Sequence, residues 1–138
     1  MPVYITNTSK FLPNQPVAND DMEQYLGYIN NKPSKSKSIV LRNNGIKNRY
    51  YALEKGGKPT HTNAQMTALA VKELFKDDPE KIKEVELLSC GTSSPDQMMP
   101  SHGVMTHGWL PEMGGTEVVC TRSNLLTWLS KQAKSNRQ

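Results

Sequence analysis

Few side chains in this chain suit covalent or acid–base chemistry, and their spacing is more telling than their number. The histidines are His61, His102 and His107, and the cysteines Cys90 and Cys120. Histidine changes charge near neutral pH, so each of the three is a candidate acid or base. His61 stands just ahead of a helical pattern and reads as a loop or capping residue. His102 and His107 are five residues apart, which on a helix puts them off a common face and argues against a shared metal. Cys90 and Cys120 have no CxxC or Cys/His ligand spacing and read as small buried thiols. Gly-rich phosphate cradles, the GxSxG elbow and the HExxH helix are all missing from the sequence. These residues alone describe a domain with no self-contained catalytic apparatus and imply neither metal nor cofactor.

Binding chemistry is better represented. From Lys32 to Arg49, KPSKSKSIVLRNNGIKNR holds six basic residues and no acidic one. Such a run suits an acidic partner, whether nucleic acid, a phosphorylated cofactor or an acidic carrier protein, or else forms a solvated basic loop. Aromatic residues that would stack on bases are missing from Lys32 to Lys47, which argues against single-stranded nucleic acid. A second stretch, CGTSSPDQMMPSH from Cys90 to His102, sets Met98 and Met99 among turn formers. Methionines at such a rim either line an adaptable apolar pocket or pack into a subunit or domain contact.

The elements that must position these stretches follow from periodicity. Val3–Thr6 alternates and is rich in β-formers, so it reads as a strand. Asn19 or Asp20 caps a helix with Met22, Tyr25, Leu26 and Ile29 on one face, ending near Asn30-Asn31. Ile39–Leu41 is a short apolar segment, Asn43-Asn44-Gly45 a turn, and Arg49–Leu53 an extended piece closed at Gly56-Gly57. A helix begins at Thr62 or Asn63, with Met66, Leu69, Ala70 and Leu74 as its buried face. Asp77-Asp78-Pro79 opens a short helix, Val85–Cys90 is a buried strand, and Ser101 caps a helix containing Val104, Met105, Trp109 and Leu110. Glu117 begins a further strand. The alternation implies an α/β fold with a largely parallel sheet and flanking helices. In such sheets ligands gather at the carboxyl ends of strands, where Met98 and Met99 would then lie.

Composition sets the outer limits. The 138 residues carry a net charge of +4, 36% hydrophobic and 22% charged residues, and a mean hydropathy of −0.64. That describes a polar globular domain. Its apolar runs fall short of the roughly 20 residues a bilayer crossing needs. The start MPVYITNTSK lacks a signal-peptide pattern, so the cytoplasm is the expected compartment. Asn7-Thr8-Ser9 fits the glycosylation pattern, which matters only on secretion.

Four segments together resemble the amino-terminal half of a 3-oxoacyl-acyl-carrier-protein synthase III, a thiolase-fold condensing enzyme. They are YITNTSKFLPNQPVAND, IVLRNNGIKNRYYA, THTNAQMTALAVKELF and GTSSPDQMMPS, the last followed by a helix ending in Trp109-Leu110. The likeness is strongest to the branch that builds aryl or resorcinol lipids. It implies a thiolase-like half-domain over residues 1–119, a divergent tail over 120–138, and a homodimer or synthase-subunit contact. It also implies that Met99, with Met98 beside it, lends an apolar side chain to the neighbouring subunit's acyl pocket. The partners so implied are an acidic acyl carrier protein and an acyl thioester, with Lys35, Lys37, Arg42, Asn43 and Arg49 meeting carrier or coenzyme A phosphate. Priming members hold coenzyme A with a tryptophan and an arginine where this chain has Ile39 and Asn43, with Arg42 one residue early. A carrier-bound acyl donor is therefore expected.

The family acts through a cysteine, a histidine and an asparagine. Its cysteine heads a helix a few residues after the strand matched by Val118-Val119, so Cys120 is too early, and the other two groups belong to a second half. By resemblance none of the three is in this sequence. After Cys120, TRSNLLTW departs from the family's small-residue approach, as a frameshift or truncation would produce. The alternative is a short protein whose tail closes as an amphipathic helix through Leu125, Leu126 and Leu129. The sequence thus reads as half of a condensing enzyme, inactive alone, or as a non-catalytic binding subunit.

Overall fold

The structure is a computed structural model that describes residues 2–119. The strand position of Cys120, the divergent tail and its amphipathic helix lie outside the described residues. The chain forms two compact units: Leu12–Thr62, and the chain up to Phe11 together with the chain from Asn63 onward.

In the unit from Asn63 onward the order is α3 (Asn63–Leu74), a 3-10 turn (Pro79–Glu84), β3 (Leu87–Ser89), α4 (His102–Gly108), a second 3-10 turn (Pro111–Met113) and β4 (Glu117–Val119). β3 and β4 run parallel in the register Leu87↔Glu117, Leu88↔Val118, Ser89↔Val119. A parallel pair needs a crossover, and α4 supplies it. Ala68, Ile82, Leu88, Leu110 and Met113 form the buried cluster, with Val71, Phe75, Val85 and Cys90 packed on it. α3 begins where its sequence pattern places it, but its buried positions are Ala64 and Ala68. Met66, Leu69, Ala70 and Leu74 are only partly buried. The small alanines form the contact face, because they let neighbouring backbone approach, and the larger side chains flank it. Pro79 starts its 3-10 turn because its missing N–H lacks a helical partner at that position in any case.

In the unit Leu12–Thr62 the elements are β1 (Val17–Ala18), a 3-10 turn (Asn19–Asp21), α1 (Met22–Leu26), α2 (Lys37–Asn44) and β2 (Asn48–Arg49), with β1 antiparallel to β2. α1 stops sooner than its apolar spacing suggests, at Gly27 with φ +83°. Ile29 and Lys32 then form an antiparallel bridge across Asn30 and Asn31, both at positive φ, the requirement of a two-residue primed turn. Ile39–Leu41 lies within α2, which Gly45 ends in the left-handed conformation.

Two further expectations differ from the fold. Parallel pairing is confined, among the described residues, to β3 and β4, and the other sheet is antiparallel. Val3–Thr6 forms no strand: Val3 is 95% and Ile5 88% exposed. β-propensity expresses itself only against a partner edge, and among the described residues no strand pairs with this segment. None of the described helices is long and apolar enough to cross a membrane.

Candidate functional site

The loop after β3 is held by its ends. Asp96 accepts the backbone N–H of Asn63 on Oδ1 at 2.7 Å and that of Ala64 on Oδ2 at 2.8 Å. One carboxylate thus satisfies two of the four unpaired donors at the start of α3, from 32 and 33 residues away. Asn63 returns the contact: its Nδ2 donates to Thr92 Oγ1 at 3.3 Å and to the carbonyl of Ser94. Thr92 Oγ1 also accepts Ser94 N at 3.1 Å, tightening the turn. Beyond Asp96 the restraint ends. Met98 is 88% and Met99 81% exposed.

α4, which follows this loop, turns polar atoms inward. His102 Nε2 and Thr67 Oγ1 are hydrogen-bond partners at 3.1 Å. His102 Nδ1 and Thr106 Oγ1, one helical turn apart, are buried with no hydrogen-bond partner among the described residues. His107 uses Nε2 to donate to the carbonyl of Met113 at 2.8 Å, closing the turn after α4. His102 and His107 therefore have separate structural employments, in keeping with their five-residue spacing. Cys90 is half-buried against the apolar cluster. His61 lies beside Thr60, its Nδ1 2.9 Å from Thr60 Oγ1. Among the described residues no three His, Cys, Asp or Glu side chains gather as metal ligands.

The basic stretch divides into used and unused cations. Lys37 Nζ reaches Glu23 Oε2 at 3.2 Å, and Glu23 Oε1 accepts the N–H of Ser34 at 2.9 Å. The Ser34 bond first, and then Lys37, hold the Glu23 carboxyl below its ordinary 4.5. Arg49 Nη1 donates to Asn19 Oδ1 and lies 3.4 Å from Met22 Sδ. Both cations thus anchor to the Asn19–Glu23 turn. Lys35, Arg42 and Asn43 are exposed, and neither Lys35 nor Arg42 forms an ion pair among the described residues. Met98 and Met99 belong to one unit and the basic residues to the other.

Sequence reasoning passed over Asp96, Asn63 as its counterpart, and Glu23. Asp96 sits in the quoted loop, but its partners lie on a helix far back in the chain. Glu23, three residues after an acidic cap, looks like an ordinary first-turn carboxylate.

No family model matches the chain. Its fold is similar to that of a solved structure of AbyA1, a tetronic acid condensing enzyme, with a TM-score of 0.63 at 23% identity. The match covers 81% of this chain and 32% of that one, so the chain spans about a third of the AbyA1 structure. The likeness is one of fold alone.

Proposed function

We propose that the chain is the amino-terminal portion of a condensing enzyme of the 3-oxoacyl-acyl-carrier-protein synthase III kind, acting in fatty-acid or related lipid or polyketide assembly. The observation that carries this reading is the β3–α4–β4 parallel unit with Met98 and Met99 exposed on the loop at the carboxyl end of β3, in a chain whose fold is similar to part of AbyA1. In such an enzyme the acyl group moves from its thioester donor to a cysteine thiolate, releasing the donor thiol. Malonyl-carrier thioester then loses carbon dioxide, and the resulting enolate carbon attacks the acyl-cysteine carbonyl and expels the thiolate. A histidine and an asparagine stabilise the enolate oxygen.

The residues present would contribute recognition. Met98 and Met99 would enter the acyl pocket of a partner subunit, their thioethers adapting to the chain they meet. Of the residues expected to meet phosphate, Lys35, Arg42 and the neutral Asn43 would face the acidic carrier protein, while Lys37 and Arg49 hold the Asn19–Glu23 turn. By this reading the 138 residues alone do not catalyse condensation. A non-catalytic subunit that binds a carrier or a full-length synthase is the second reading, favoured by the two exposed methionines.

The test is size-exclusion chromatography with circular dichroism on the purified chain, with and without an acidic acyl carrier protein, alongside a decarboxylation assay on malonyl-carrier. A folded chain that shifts on adding carrier, reverts at high salt and loses the shift in Lys35→Glu/Arg42→Glu would support the reading. Decarboxylation above background would overturn the claim of inactivity. A folded chain that ignores the carrier at low salt would remove the carrier as partner.

A further inference from the structure

A second binding feature lies wholly within the Leu12–Thr62 unit. Between α1 and α2 is a groove of about 340 Å³ whose apolar wall is Met22, Leu26, Ile29, Val40 and Leu41. This is within the size range of small-molecule sites, about 300–1,000 Å³. Leu26, Ile29 and Val40 are each more than half exposed, so the apolar wall is open to a ligand. The polar wall is closed on itself, because the Glu23 carboxylate takes up both the Ser34 N–H and the Lys37 ammonium. Opposite charges there cancel, and an occupant of the groove itself must be apolar.

The rim is different. From Gln24 to Leu53 the sequence holds no acidic residue. Lys32 and Lys35 are exposed and make no ion pair among the described residues, and the Lys32 backbone N–H donates to the carbonyl of the wall residue Ile29 at 3.1 Å. Lys35 lies in sequence between the groove-lining residues Ser34 and Ser36. An apolar trough beside cations with no counter-ion matches one kind of molecule, in which an alkyl chain ends in a negative head. A second copy of the chain fits poorly, because it would bring an identical set of cations against this one.

We infer that the α1–α2 groove binds a single alkyl chain bearing an anionic head group, a fatty carboxylate or an alkyl phosphate. The methionine and leucine side chains of the wall take up the chain, and Lys32 and Lys35 receive the head. The site uses neither Met98 nor Met99 but shares Lys35 with the proposed carrier contact, so Lys32→Glu, which leaves Lys35 in place, separates the two.

Calorimetric or NMR titration of the full 138-residue chain tests this with decanoate and decyl phosphate, kept below their aggregation concentrations, against decanol and acetate. Saturable binding of decanoate and decyl phosphate is expected, with weaker binding of decanol and none of acetate; the tighter anion identifies the head group. Val40→Trp fills the groove at an exposed position and should weaken decanoate by about tenfold or more. Ile29→Asp should act likewise, a check should either variant lose its circular dichroism signal. Lys32→Glu/Lys35→Glu should weaken decanoate several-fold and leave decanol unchanged. No saturable decanoate binding, or binding untouched by both groove variants, would overturn the inference. So would concentration-dependent dimerisation, or capture of acyl carrier protein, that Val40→Trp abolishes while decanoate fails to bind.

Discussion

Between Asn63 and Val119, five buried side chains from α3, β3, the two 3-10 turns and Leu110 just before the second turn make one apolar cluster, with Leu110 fully shielded and Met113 1% exposed. Between Leu12 and Thr62 the buried residues are Pro13 and Val17, and order is kept by polar stitching. Asn14 Nδ2 donates to the carbonyls of Tyr51 and Leu53 and to Thr60 Oγ1, at 2.8, 3.4 and 2.9 Å. Arg49 ties down Asn19, and Glu23 gathers Ser34 and Lys37. One region resists change through burial, which does not depend on a titrating group. The other depends on bonds to which water and protons have access, so the two should fail under different conditions.

Leu110→Ala strikes the first region hardest. Removing a fully buried leucine should cost about 2–5 kcal/mol, read as a fall in the urea midpoint. A loss near zero would mean the cluster is not what holds that region. Next in size is Asp96→Ala, which leaves two α3 amides without an acceptor. It should cost about 1 kcal/mol and speed hydrogen exchange at Asn63 and Ala64. Unchanged exchange there would break the link between loop and helix. In the polar region, Asn14→Gly keeps the positive φ of 57° while deleting three hydrogen bonds. A loss of about 1 kcal/mol is expected, with Asn14→Ala worse because alanine resists that φ. If the two variants behave alike, the backbone conformation is not the constraint.

The smallest effect sharpens the contrast most. The folded Glu23 carboxyl lies below 4.5, so its contribution is present above the unfolded value and is lost as pH falls through the folded one. The Ser34 amide should therefore exchange faster in acid, after correction for intrinsic rates, and Glu23→Gln should flatten that dependence. Leu88 and its neighbours should show no such step. A common acid transition in both regions would show that they do not open separately.

How much of this was readable beforehand differs along the same line. The start of α3 at Asn63, the strand around Leu87–Ser89 and the helix after Ser101 stand where local periodicity puts them, although α4 ends at Gly108, short of Trp109 and Leu110, and Ser101 makes no side-chain cap bond. The exposed methionine pair was legible as a loop feature. What was not legible depends on partners distant in the chain. Val3–Thr6 has the composition of a strand but pairs with no strand among the described residues. α1 is the exception: its apolar spacing runs on to Ile29, and what stops it is local, Gly27 at φ +83°. Asp96 looks like a turn residue until its two amide donors, across the chain, are seen. The division of the cations was hidden for the same reason, since Lys35 and Lys37 differ in sequence by almost nothing and in partner completely.

The tether at Asp96 has one more consequence. Because the loop is fixed by its carboxylate and by Asn63, and Met98 and Met99 touch little of the chain, side chains at these two positions can be exchanged with almost no penalty to folding. Variation at 98 and 99 is then filtered by whatever the loop meets and hardly at all by the scaffold. A lineage can retune its contact there one substitution at a time without first acquiring stabilising changes elsewhere.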